Sequence, residues 1–197
     1  MTKTTSDVIT SSLHKYGVPF AAGIPGHGNW ALVNSYADRT KAPRFIQVMH
    51  EQSAMHMADA CFRLTGSPGA VTGSIGPGAA NTLMGLATAY ADSSAAVLIT
   101  GSAATHVAGH GVMQSLDRKY VPDFPRLTEP ATKAAYHIAH PDMAPFVMHR
   151  AFNTMLSGRP GPVSIDVPLD VQVATTNIPV QDLNSRMARG KPRPMPD

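Results

Sequence analysis

Charge is scarce in this chain, and unevenly so. Only 15% of its 197 residues are Asp, Glu, Lys or Arg, against roughly 25% in an ordinary soluble domain. The positions from Ser67 to Leu116 hold a single formal charge, Asp92. Cysteine is scarcer still: the lone Cys61 cannot staple the fold, which excludes a disulfide-built scaffold and implies a reducing, cytoplasmic setting. No basic run is interleaved with aromatics and the net charge is only +3, so there is no electrostatic footprint for nucleic acid. Long apolar runs are missing too. The charge-poor middle is punctuated by Gly, Ser, Thr, Pro and Asn, whereas a membrane-spanning helix needs about 20 mainly apolar residues. It therefore reads as the interior of a soluble domain, and the N-terminus MTKTTSDVITSSLHKYG carries no apolar stretch of signal-peptide type.

What is present is ample core material, 43% hydrophobic residues, in a length that suits one large or two small domains. Short β-rich runs at Val18–Ile24, Arg44–Met49, Ala70–Ser74, Ala96–Gly101, Ala131–Ile138 and Val163–Val167 alternate with helical patterns. The helices are expected at Ser6–His14, Asn29–Ala37, Glu51–Leu64, Gly78–Tyr90 and Met143–Leu156. This alternation predicts an α/β fold, a three-layer αβα arrangement with a mainly parallel six-stranded sheet covered on both faces. Strand order is not legible. His106–Pro130 fits neither period and reads as a long irregular connection with one helical turn at most. The expected boundaries are a domain over 1–172 and a polar tail or linker over 173–197.

The helix that begins at His50 carries the most chemistry. At about 100° per residue, Ala54, Met55, Met57, Ala58, Cys61 and Phe62 share one arc, and Gln52, His56, Asp59 and Arg63 the other. Glu51 falls on the apolar arc. A carboxylate on a buried helix face must be paired or hold its proton more tightly; the alternative is a first-turn acid that favours the helix dipole and stays wet. Two glycine-rich turns, GIPGHGNW after the first strand and SIGPGAANT after the third, each open a helix where α/β proteins bind ligands. Neither is a GxGxxG or Walker pattern, and tight turns alone account for glycines there equally well. His27, His50, His106 and His110 lie at strand ends or in the irregular segment; with no acidic neighbour and no HExxH, they give a zinc site little support. Cys61 reads as core filler.

The segments GIPGHG, HEQSAMHMADACFRLTG, GSIGPGAANTLMGLATAYADS, ITGSAATHVAGHGVMQS, ATKAAYHI and SGRPGPVSIDVPLDVQ occur in an order and spacing that resemble thiamine diphosphate-dependent enzymes. The similarity is to the N-terminal pyrimidine-binding (PYR) domain of the acetohydroxyacid synthase and 2-oxo acid decarboxylase superfamily, over about residues 5–172.

The resemblance implies that Glu51 is the glutamate contacting N1′ of the cofactor's aminopyrimidine, sharing a proton so that the 4′ nitrogen can deprotonate thiazolium C2. It places Pro25, Gly26 and His27 in the loop above the thiazolium, and Ser74, Gly76, Pro77, Gly78 and Asn81 in the turn beside the pyrimidine. Gln114 matches a glutamine near the reacting centre and Lys133 a lysine of the substrate channel. Met113 stands where the synthase branch has phenylalanine and Ser115 where it has an acid, and Leu116–Pro130 is longer. His106 and His110 are candidates to replace the histidine pair of pyruvate decarboxylases, which is absent here. The family's GDG sequence with its downstream asparagine, which holds Mg²⁺ and the diphosphate, is absent as well. The resemblance thus implies the α subunit of a split 2-oxo acid decarboxylase or carboligase. A separate diphosphate-binding β subunit would hold Mg²⁺ and most of the diphosphate, in a hetero-oligomer such as α2β2 or larger acting on a small 2-oxo acid. The starting Met and short tail favour a natural small subunit. The alternatives are an acetohydroxyacid synthase-like carboligase subunit and a non-catalytic regulatory relative; a generic nucleotide-binding module stands further off. The charge-poor stretch is expected to mark an interface.

Overall fold

A computed structural model of the chain describes residues 3–116 and 123–183. Its strands are β1 (Lys3–Thr4), β2 (Phe20–Gly23), β3 (Arg44–Gln47), β4 (Gly69–Gly73), β5 (Ala96–Ser102), β6 (Ala134–His137), β7 (Val163–Pro168) and β8 (Thr175–Thr176). Its helices are α1 (Thr5–Lys15), α2 (Trp30–Ser35), α3 (Glu51–Thr65), α4 (Pro77–Ala80), α5 (Leu83–Ala91), α6 (Asp123–Thr128), α7 (Ala144–Leu156) and α8 (Leu169–Val173). Strands β2 to β7 form one sheet in the order β3-β2-β4-β5-β7-β6, parallel throughout.

All six expected strands are present, each with somewhat different bounds, and the layers are as the alternation requires. On one face α1, α2 and α7 close a core around Ile9, Leu13, Leu32, Phe152 and Ile165. On the other, α3 and α5 pack over Ala22, Val71, Ala96 and Leu98 through Met55, Ala58 and Leu86. The charge-poor stretch has a direct structural cause. It contains β4 and β5, the two central strands, and every residue in both is buried, so a formal charge on either face would be desolvated without a partner.

Three features depart from the expected pattern. The helix anticipated at Gly78–Tyr90 is two helices, because the Thr82 hydroxyl donates to the Ala79 carbonyl at 2.7 Å and its N–H bonds the same oxygen, tightening the chain between α4 and α5. Beyond residue 172 the chain turns back: β8 pairs antiparallel with β1, Tyr16 donates to the Gln181 carbonyl at 3.0 Å, and Val180 and Leu183 pack on the α1 side of the core. The rest of the expected tail, from residue 184, and residues 117–122 of the irregular connection lie outside the described residues. Finally, Asp59 is buried rather than solvent-facing, held by Arg63 at 2.8 Å, while Cys61 is only half-buried and sits beside Thr65 and Ser67 rather than in the core. Burial, the largest single influence, pushes the Asp59 carboxyl up, but its polar neighbours, Arg63 foremost, together keep the group below the ordinary carboxylate range. No helix among the described residues is long and apolar enough to cross a membrane.

Candidate active site

From β2 the chain runs out to β3 on one side and back to β4 on the other, so the carboxyl ends of β2 and β4 flank a topological switch point. The two glycine-rich turns meet there. After β2, Asn29 folds its side chain into its own loop: Oδ1 accepts from Gly26 N at 2.7 Å and Nδ2 donates to Ile24 O at 3.1 Å. Gly28 N donates to Ser74 Oγ at 3.2 Å, which locks this loop to the turn after β4. That turn needs glycine at 76, where φ is +57° and a side-chain carbon would lie 1.7 Å from the Gln114 carbonyl oxygen. Gln114, itself at φ +65°, is thereby seated on the same turn although it is far along the chain.

Glu51 occupies the floor of this crevice. His50 supplies the N-cap of α3, its Nδ1 accepting from Gln52 N at 3.2 Å, so the acid takes the first helical position. The α4 turn closes over it and leaves only 6% of Glu51 exposed. The wet first-turn reading is thus excluded. Asn81 Nδ2 donates to Oε2 at 3.0 Å, and Oε1 has no hydrogen-bond partner among the described residues. A Cβ at residue 78 would lie 3.0 Å from that oxygen, so the glycine leaves an opening in front of the unpaired atom.

The structure therefore brings Gly26, Ser74, Gly76, Gly78, Asn81, Gln114 and Glu51 into one contiguous constellation. Pro25 and His27 are exposed on the β2 loop and Pro77 opens α4 beside them. His106, in the single turn Thr105–Val107 after β5, and His110 are both exposed on the same edge of the sheet, and Met113 is 73% exposed beside Gln114. Lys133 is not part of this group. It precedes β6 at the opposite, amino-terminal edge, where Nζ donates to Ser157 O at 2.6 Å and burial lowers its affinity for the proton. The substrate-pocket role implied for it has no support from its place in this chain.

One buried polar cluster escaped the sequence reading. Asp166 on β7 accepts from Ser102 Oγ at 2.9 Å, from Thr100 Oγ1 at 3.4 Å and from His137 Nδ1 at 2.7 Å. No short-range spacing reveals it, because Asp166 and its partners come from three different strands.

A buried carboxylate with one free oxygen, a glycine opening before it and a second glycine-rich loop locked alongside define the cofactor-binding half of an α/β domain whose site lies at a switch point. Comparison with known proteins names the class. Residues 3–121 match the family model described as thiamine pyrophosphate enzyme, N-terminal TPP binding domain, and the chain belongs to that family. It is 36% identical over 194 residues to an acetolactate synthase of Arthrospira platensis, covering 94% of this chain and 32% of that protein. It is 34% identical over 176 residues to the acetolactate synthase isozyme 3 large subunit of Escherichia coli, covering 88% of this chain and 29% of that one. A probable acetolactate synthase large subunit of Methanocaldococcus jannaschii matches at 36% over 167 residues, 85% of this chain and 27% of its own length. The chain thus spans about a third of the curated relatives it matches, their N-terminal part.

The residues present fit the family's cofactor. An aminopyrimidine offers a ring nitrogen that can share a proton with a carboxyl group, and Glu51 Oε1, without a hydrogen-bond partner among the described residues, belongs to a mostly buried side chain behind a gap that any side chain at 78 would narrow.

Proposed function

We propose that this chain is the pyrimidine-binding half of a thiamine diphosphate-dependent carboligase of the acetolactate synthase type. The observation that carries the reading is the buried Glu51 carboxylate, paired through one oxygen and free at the other. A scaffold or regulatory relative has no use for that arrangement, since a carboxylate on a mostly buried helix face is costly to keep.

When bound, thiamine diphosphate supplies a nucleophilic carbon that attacks a 2-oxo acid and stabilises the charge left by departing carbon dioxide. The chain's own share is orientation and proton management. Asn81 fixes the Glu51 carboxyl through Oε2, so Oε1 is the atom positioned to share a proton with N1′ of the aminopyrimidine. Gly78 admits the ring. Gly76 and Ser74 form the adjoining wall, and the locked Pro25–Gly28 loop limits water from the other side. Gln114 is the side chain nearest the reacting centre from this chain, with His27, His106, His110 and Met113 around the mouth that receives the 2-oxo acid.

Mg²⁺ and most of the diphosphate would be held outside these residues, on a separate diphosphate-binding subunit, in a cytoplasmic hetero-oligomer. The similarity to acetolactate synthases favours carboligation over simple decarboxylation.

The test is product analysis. The chain is mixed with a diphosphate-binding partner, cofactor, Mg²⁺ and pyruvate, with and without a second oxo acid. A new carbon–carbon bond in the product is expected; carbon dioxide and free aldehyde alone would replace carboligase with decarboxylase, and no turnover with bound cofactor would favour a regulatory role.

A further inference from the structure

Helix α8 is only five residues long and follows β7 without a loop, yet two of its side chains reach separate parts of the crevice rim. Gln172 is fully buried. Its Nε2 donates to Gly28 O at 2.7 Å and to Val167 O at 2.9 Å, and its Oε1 accepts from Leu32 N at 3.3 Å. Only this orientation of the amide satisfies all three groups.

The last bond answers a local deficit. Asn29 stands at the N-cap of α2 but makes no capping bond, because its side chain is already spent closing the Ile24–Asn29 loop. An orphan N–H in the first turn of α2 is therefore satisfied from outside, by Gln172. The first bond is more telling. The Gly28 carbonyl lies against Gly101, where a Cβ would come within 1.7 Å of the oxygen, and the Gly28 N–H is already held by Ser74. The backbone of this one residue is thus fixed by the turn after β4, by β5 and by α8 together.

On the outer side of the same turn of helix, Asp170 accepts from Thr105 N at 3.0 Å and from the Thr105 hydroxyl. Thr105 begins the turn that carries His106. Burial of Asp170 raises its hold on the proton, but the Thr105 bonds together with the backbone N–H groups of Asp170 and Val171 outweigh it and keep the carboxyl below the usual carboxylate range, so it remains an acceptor at neutral pH.

We infer that α8 is a clamp for the crevice, with Gln172 the positioning residue for the Pro25–Gly28 loop and Asp170 the positioning residue for the Thr105–His110 loop. That these loops face thiamine diphosphate and its substrate rests on the function proposed above; that α8 holds them does not.

Hydrogen exchange on the full chain tests the clamp directly. In Gln172→Glu the donor becomes an acceptor facing two carbonyl oxygens, and exchange over residues 26–32 should quicken by about tenfold or more while residues 54–62 and 97–99 keep their rates. Asp170→Asn should loosen residues 105–110 and leave 26–32 unchanged. If Gln172→Glu does not fold, Gln172→Met, which keeps the volume and lacks the donor, carries the same test. Unchanged rates over 26–32, or a uniform rise through the whole chain, would overturn the inference.

A second arm uses a diphosphate-binding partner and Mg²⁺. Thiamine diphosphate should bind the Gln172→Met chain about tenfold more weakly than wild type. Equal affinity despite a loosened loop would remove the clamp's role in the site. If the wild-type chain itself binds no cofactor, the proposed function fails and exchange alone decides the clamp.

Discussion

The two edges of the sheet are built to different ends. At the amino-terminal edge Arg159, Arg63 and Lys133 are each matched within the structure. Arg159 donates to Tyr90 O at 3.2 Å, Ala91 O at 2.9 Å and Ser93 Oγ at 2.7 Å, closing the carboxyl end of α5. Arg63 bridges Asp59 and Asp92, and Lys133 holds the Ser157 carbonyl. At the carboxyl-terminal edge the side chains instead hold loops, and one carboxylate oxygen, Glu51 Oε1, has no partner among the described residues. Cations matched to carbonyl and carboxylate oxygens contribute stability; a mostly buried acid with one oxygen open to the crevice is placed to meet a bound group.

Substitutions that break this division should differ in what they change. The largest effect on folding is expected from Gly76→Ala, which combines a left-handed backbone with a collision at the Gln114 carbonyl. Denaturant titration should show a loss of about 3 kcal/mol or more, with Gln114 driven off the turn. Gly78→Ala sharpens the contrast, because its Cβ meets side chains and no backbone, Glu51 Oε1 first at 3.0 Å. Ser74 Cβ lies next nearest, at 3.4 Å, so the variant's unfolding midpoint should fall far less than that of Gly76→Ala while cofactor affinity, measured calorimetrically with the partner present, falls about tenfold.

At the other edge Arg159→Ala should do the reverse. It uncaps the carboxyl end of α5, costing about 1 kcal/mol or less in thermal unfolding, and leaves cofactor affinity untouched. The smallest effect concerns pH. The Asp170 carboxyl is held below its ordinary value of 3.8, so its contribution is complete above that value and is lost as pH falls through the lowered one. Acid loosening of the Thr105–His110 loop should therefore vanish in Asp170→Asn, as followed by exchange between about pH 5 and pH 2.

Much of the fold was legible because it rests on local periodicity. The six strands, the parallel arrangement and the face of α3 that carries Glu51 follow from spacing alone. Whether Glu51 is dry did not, since that depends on the α4 turn packing over it, a contact between residues about thirty positions apart. The same limit hid β1 with β8, the Asp166 cluster and Gln172, which owe their roles to partners far along the chain. Lys133 shows the converse: the ATKAAY segment that carries its resemblance leads into a strand that starts at the edge away from the crevice. Asp59 was misplaced because helical spacing counts arcs, and Arg63 at i+4 lets an acid near the arc boundary be buried with its partner.

The claim on which the account turns is that Glu51 shares a proton with the cofactor's aminopyrimidine. Exchange of the thiamine diphosphate C2 proton in the assembled complex measures it most directly, comparing wild type with Glu51→Gln, which keeps shape and the contact to Asn81. Slowing by about two to four orders of magnitude, with cofactor still bound, is the predicted result. Exchange at the wild-type rate in the variant would contradict it.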